Sequence, residues 1–380
     1  MTGLRAALLA AAMGLVCVEG AAAQSTARTE FRGDAATESA TAVEAKGLAA
    51  LKGLKTVIIP QFTVEFVEHS DGLSSREEKR QDYVYIDYRI APMPAAEQQA
   101  IADQLYARWA DGLRAQGLTV VGPAEALAMA PASKLAAAAK PSPAAIRRST
   151  GDNLIYSAGG AGYLMPRTAL GEARQSNAAA GAADTGAAVA QKVGGRIGGM
   201  FGLARGLGKI GSGLGNFRGA WNYAEAENAL AKQANAAVMT VRLVVGLRDI
   251  DMASRGFGLF RGAGSYDGKP RLVVMGDASE VTIATPAANR RAEIMVPKDL
   301  VFSEDLLKDR LALSNNAGTT AGNIASRAMF AGAALGGGSA AINQRHNFTA
   351  TPDTTAYRAA VVRNLTAVED IFLRHLAPAW

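Results

Sequence analysis

Apolar and polar residues alternate over 62–66: Phe62, Val64 and Phe66 are separated by Thr63 and Glu65, behind the apolar run Val57-Ile58-Ile59. A period of two is the mark of a strand with one buried face. The same period recurs in Val84, Ile86, Tyr88 and Ile90, so the two segments are expected to pair as antiparallel neighbours across the charged loop SDGLSSREEKRQD. The period then changes. Ile101, Leu105, Trp109 and Leu113 recur at four-residue spacing, which predicts a helix, and Gly117 is placed to stop it. LTVVGP predicts a short strand and the residues after Pro123 a short helix. Residues 131–145 are Ala/Pro/Lys-rich and read as a surface connection; NLIYSAGGAGYLMP reads as one or two short strands broken at Gly159-Gly160.

AWNYAEAENALAKQANA predicts another helix, and the strongest strand signal follows it: Val241, Leu243, Val245 and Leu247 share one face. RGFGLFRGAGSYDG predicts a twisted strand with a corner at Asp267-Gly268. PRLVVMGDASEVTIAT then returns as a long strand and RRAEIMVP as a third, giving an antiparallel meander. Near the end, Tyr357, Val361, Leu365, Val368, Phe372 and Leu376 trace a helical stripe, with Thr351 and Pro352 as cap and first-turn residues. That stripe needs an apolar partner, and the face of the meander supplies one. The expected fold class is α+β: a mostly antiparallel sheet packed by amphipathic helices, with two Gly/Ala-rich small-xxx-small helical insertions.

The insertions give the chain its character. In GGRIGGMFGLARGLGKIGSGLGNFRG, Gly194, Gly198, Gly202 and Gly206 fall every four residues, and Gly211 and Gly215 resume the spacing. Residues four apart share a helix face, and glycine there lets another backbone come close. Arg196, Arg205 and Lys209 add positive charge, and no acidic residue lies between Asp184 and Glu225. A second segment repeats the pattern with Gly318, Gly322, Gly332 and Gly336, and its only charge is Arg327. Each helical glycine costs close to 1 kcal/mol relative to alanine, so such helices need tight packing or a membrane to offset the loss. A loosely ordered Gly/Ala insertion is the alternative, but it has little use for Met200, Phe201, Leu203, Leu207 and Ile210. Gly206 to Gly211 formally fits G-x-G-x-x-G, yet no strand-forming run precedes it, and Ile210 stands where a Walker loop needs Ser or Thr.

Composition places the chain. Arg5, the apolar stretch Ala6–Val18 and the small residues Ala21-Ala22-Ala23 have the layout of a secretory signal peptide, with cleavage before Gln24. A lipoprotein based on Cys17 is disfavoured by Val16, since a small residue belongs there. Cleavage removes the sole cysteine and leaves the net charge of +6 unchanged, because Arg5 and Glu19 leave together. A thiol-free exported chain of this size still buries roughly 75% of its unfolded surface. The basic residues are scattered, which argues for mild attraction to anionic lipid and against nucleic acid as a partner. The expected organisation is a signal peptide at 1–23, a disordered tether at 24–50 and a strand-helix-strand part at 51–175. A Gly-rich insertion at 176–219, a helix plus meander at 220–314, a second insertion at 315–345 and a C-terminal helix at 346–380 follow.

Candidate chemistry is sparse. His69 precedes Ser70 and Asp71, but neighbours in sequence do not make a triad. His346 lies in NQRHNF, and His375 suits the negative end of the last helix. Asp249 and Asp251 could face the same way on a strand, too few oxygens for a cation. Glu77-Glu78, Glu225 and Glu227 read as solvated charge. The sequence therefore predicts a non-enzymatic exported envelope protein, periplasmic or outer-membrane-associated. It would self-assemble or contact the membrane through its glycine-patterned helices, as a secretion or envelope-assembly accessory. No catalytic residue, metal or cofactor is expected. The alternative is a periplasmic small-molecule or glycan-binding module using Tyr83, Tyr85, Trp109, Trp221 and Tyr223 as aromatic surfaces. A hydrolase built on Asp249 and Asp251 ranks behind both.

Overall fold

The computed structural model describes residues 29–31, 43–75, 83–136, 139–148, 151–164, 223–249, 270–275, 278–287, 290–296, 300–302, 306, 311–315, 317, 319–325 and 343–380. In chain order these form β1 (Thr29–Phe31), β2 (Glu44–Lys46), β3 (Thr56–Val67), β4 (His69–Ser75), β5 (Tyr83–Ile90) and α1 (Ala95–Ala115). Next come β6 (Thr119–Val121), α2 (Pro123–Ala128), α3 (Ala130–Ala136), β7 (Ala144–Arg148), β8 (Gly151–Ser157) and helix α4 over 223–234. β9 (Ala237–Asp249), β10 (Pro270–Val274), β11 (Glu280–Ala284), β12 (Arg291–Met295), β13 (Leu300–Phe302) and β14 (Leu311–Leu313) follow. Helix α5 over 319–325, β15 (Asn343–Ala350) and α6 (Thr354–Leu376) complete the order. The fold is α+β: an 11-stranded mixed sheet carries the helices, and a 4-stranded sheet runs in the order β14-β15-β5-β4.

β3 and β9 are the axis of the large sheet. They run parallel from Val57 opposite Ala237 to Val67 opposite Gly246, and the register slips once, between Ile58 and Gln61. Pro60 lies in the slip, where its missing N–H costs the ladder nothing. One extra residue also changes the parity of the strand. Val57 and Ile59 before it and Phe62, Val64 and Phe66 after it therefore all join one apolar core.

The far edge of β9 carries two strands end to end. β11 pairs with its first half, Val281 opposite Val241, and β10 with its second, Leu272 opposite Leu247. The long strand expected over PRLVVMGDASEVTIAT is thus one track interrupted between Met275 and Ser279. Ser279 mends the break: its hydroxyl accepts from the Val244 N–H at 2.9 Å, while the Met275 N–H donates to the Val244 carbonyl at 2.9 Å. β12 and β13 continue the sheet, and β2 and β1 close that side. Beyond β3 lie β6, parallel, then β8 and β7.

α1 and α6 cover the apolar face. Ile101, Leu105, Trp109 and Leu113 from α1 meet Val361, Leu365, Val368, Phe372 and Leu376 from α6, and every one is fully buried. Each such side chain stabilises the fold by about 1.5–3 kcal/mol. Trp109 sits between Phe62 and Phe372, with ring centroids 6.4 and 6.5 Å away. The helices touch closely at Gly112, where a Cβ would stand 2.5 Å from Leu373 Cδ1. Asp353, two residues after the expected Thr351, caps α6 by accepting from the Ala356 N–H at 2.9 Å. The expected helical stripes hold in both cases.

Three expectations change. β3 and β5 do not pair: the edges of β3 belong to β9 on one side and to β6 and β8 on the other, so the chain leaves for the second sheet. There β4, inside the expected loop, pairs antiparallel with β5, His69 opposite Arg89. The stretch 131–145 is more than a surface connection, because most of α3 and the start of β7 lie within it and bury Ala132 and Ala144. The expected tether supplies β1 and β2, buries Val43 and precedes the buried Leu51. Its two strands are three residues each and join the sheet through backbone pairing, too short for a hydrophobic period to be read. The expected signal peptide and the corner at Asp267-Gly268 lie outside the described residues.

Gly47 joins β2 to the following turn at φ +70, and a Cβ there would lie 2.2 Å from the Arg291 carbonyl oxygen. Gly53 has a similar φ of +84 but open space around it. Gly53→Ala is expected to cost about 1–2 kcal/mol from the left-handed backbone alone. Gly47→Ala should cost clearly more, since it also displaces β12. Urea unfolding of both variants checks this; equal losses would mean the β2–β12 edge yields freely.

Candidate functional site

The second face of the large sheet holds the unexpected chemistry. Strand alternation sends Gln61, Thr63 and Glu65 of β3, and Thr240 and Arg242 of β9, away from α1 and α6. All five are buried, so this strand pair is covered on both faces and not on one. Such burial is unusual for charged side chains unless they are paired.

They are paired. Arg242 Nη2 lies 2.6 Å from Glu65 Oε2, with the two side chains 2% and 0% exposed. Asn153 of β8 donates from Nδ2 to the other Glu65 oxygen at 3.1 Å. The parallel register produces the arrangement: Arg242 stands opposite Thr63, one face position from Glu65, and opposite Glu280 of β11 on its other side. Breaking a buried ion pair strands a charge and is far more costly than the pair's net worth.

A second network ties α4 to the same face. Thr240 donates from Oγ1 to Glu227 Oε1 at 2.8 Å, and Tyr223 meets the same Oγ1 at 2.7 Å. Because the threonine proton points to Glu227, the tyrosine hydroxyl is the donor to Thr240. Arg291 of β12 closes the set, its Nη2 lying 3.0 Å from Glu227 Oε2. Burial pushes the Tyr223 phenol well above its ordinary range, with Glu227 adding to the effect and the Thr240 bond opposing it. Glu227 is therefore a buried structural acceptor and not the solvated charge its sequence context suggested; Glu225, two residues earlier, is exposed.

The arrangement fixes register and helix placement. Each carboxylate faces a guanidinium, and each hydroxyl proton is committed to an acceptor. Among the described residues no group of His, Cys, Asp and Glu is placed to hold a metal ion.

The other candidates separate. Trp109 and Tyr223, expected as aromatic surfaces, are buried in the core and in the polar network. Tyr83 and Tyr85 lie on β5, whose side chains there are not described, and Trp221 is outside the described residues. His69 is in β4 and not at a loop start; His346 is in β15 opposite Ile86. His375 Nδ1 lies 2.9 Å from the Ile371 carbonyl in the last turn of α6. Asp249 ends β9 opposite Pro270, and Asp251 lies outside the described residues. So do Gly194, Gly198, Gly202, Gly206, Gly211, Gly215, Gly318, Gly332, Gly336, Arg196, Arg205 and Lys209. Gly322 is on α5, exposed, and among the described residues nothing outside its own helix backbone lies within 4 Å of its Cβ position.

The signal for the missed pair was present. Glu65 lies in FTVEFV and Arg242 in VMTVRLVV, each a single charge inside a strongly apolar strand. Opposite charges so placed in two strands call for each other. Comparison with protein-family models, with curated proteins and with solved structures finds no match for the chain.

Arg242→Met alone is expected to lose about 3–5 kcal/mol, because the buried Glu65 carboxylate loses the guanidinium that faces it. Adding Glu65→Met should return at least half of that loss. Urea titrations at neutral pH test both, and a single variant as stable as the double would show that the pair is not closed.

Proposed function

We propose that this chain is a non-enzymatic exported envelope protein. It self-assembles or contacts the membrane through its glycine-patterned segments, as an accessory of secretion or envelope assembly. The observation that carries the reading is in the second segment. Residues 319–325 are helical, Gly322 faces open space, and Ile324 is 62% exposed, the large apolar side chain left in water among the described residues. A glycine surface beside an exposed isoleucine, in a stretch whose only charge is Arg327, suits close contact with another helix or with lipid. Arg196, Arg205 and Lys209 of the first segment would meet phosphate head groups.

The sheet body supports a scaffolding role. The buried carboxylates Glu65 and Glu227 of its polar face are paired inward and its apolar face is filled by α1 and α6. Among the described residues no helix is long and apolar enough to cross a membrane.

Flotation with anionic vesicles, beside light-scattering mass, tests the reading on the chain from Gln24 to Trp380. Ile324→Asp is expected to weaken vesicle binding or self-association about tenfold, the effect of losing one buried isoleucine. Gly198→Leu with Gly202→Leu should block close approach and abolish it. A parent chain that neither floats nor associates would overturn the proposal.

A further inference from the structure

The seam between α1 and α6 contains a carboxyl group that the packing does not explain. Glu369 of α6 is 0% exposed, and among the described residues neither of its oxygens has a hydrogen-bond partner. Its nearest charge is Arg108 of α1, with Nε 3.8 Å from Oε2. That separation is too long for a hydrogen bond, and the guanidinium bonds Asp370, the next residue on α6, through Nη2. The sheet residues under the two helices are apolar: Phe62, Val64, Val241 and Leu243. Among the described residues the charged groups acting on Glu369 are thus Arg108 from α1 and Asp370 from its own helix.

Solvent-exposed side chains stand close by. A groove of about 550 Å³ runs along the seam, and Arg108, Asp111, Thr366 and Asp370 line it beside Leu105 and Leu373. Arg108 thus hydrogen-bonds the exposed one of two adjacent carboxylates and leaves the buried one unbonded. A neutral Glu369 fits the seam; an ionised one requires either the guanidinium that Asp370 holds or hydration from the groove.

We propose that Glu369 makes the α1–α6 seam a proton-controlled latch, closed while its carboxyl carries a proton and opened toward the groove when it ionises. Burial, with Asp370 adding to it, outweighs Arg108 and holds the group well above the usual carboxylate range. A group raised in this way stabilises the closed state fully below the ordinary carboxylate range. The contribution is then lost as pH rises through the folded value. Opening would release Leu373 from Gly112 and expose the groove side of both helices, a change independent of the glycine segments.

Hydrogen exchange on the full chain tests the latch from about pH 5 to about pH 9. In the parent, the opening of 366–373, corrected for intrinsic exchange, should rise about tenfold per pH unit until Glu369 ionises in the closed state. Glu369→Gln should remain flat, and a parent as flat as this variant would overturn the proposal. Should that variant fail to fold, carbon NMR of the Glu369 carboxyl decides. Arg108→Gln must move its titration to higher pH and Asp370→Asn to lower pH; shifts in one direction, or none, would refute the latch.

Discussion

The parallel pairing of β3 with β9 is the constraint on which the rest of the structure depends. A parallel pair of this length is stable when both faces are covered, and here α1 and α6 cover one face while α2 and α4 pack on the other. The bulge at Pro60 keeps five large apolar residues of β3 on one side. The same register sets Arg242 beside Glu65 on the other. Moving the register by one residue would carry the ion pair into the α1–α6 core and the aromatic residues onto the polar face.

The two faces solve burial by different physics. On the first, Trp109 between Phe62 and Phe372 is nondirectional packing, tolerant of small shifts. On the second, Glu65, Arg242, Thr240, Glu227 and Tyr223 are joined by directional bonds that accept one geometry. The apolar face drives collapse, and the polar face selects among collapsed arrangements. Glu369 is the exception, a carboxyl on the apolar side with no such network, which is why protonation can decide how it fits.

A body so ordered is a reasonable carrier for segments whose chemistry lies elsewhere. The first glycine-patterned stretch falls between Leu164 and Tyr223, and the second runs from the turns around α5 to β15. Tyr223, where the chain rejoins the described body, is anchored at once through Thr240. The start of α4 is therefore held by the same network that fixes the sheet, so forces on the first segment would be met by buried hydrogen bonds.

The α+β class, the helical stripes of α1 and α6, and the apolar face of β9 were legible in the sequence. Each rests on local periodicity, and side chains at fixed spacing reveal the face they bury. What only the tertiary structure decided is nonlocal. β1 and β2 join the sheet through backbone hydrogen bonds, in strands of three residues each that are too short to show a period. The separation of β3 from β5 follows from the occupation of both β3 edges by strands far along the chain. Glu65 and Arg242 stand 177 positions apart, and Arg108 lies 262 from Asp370. No local period encodes such pairs: a charge in a strand announces that it needs a partner, and the fold alone determines which one it meets.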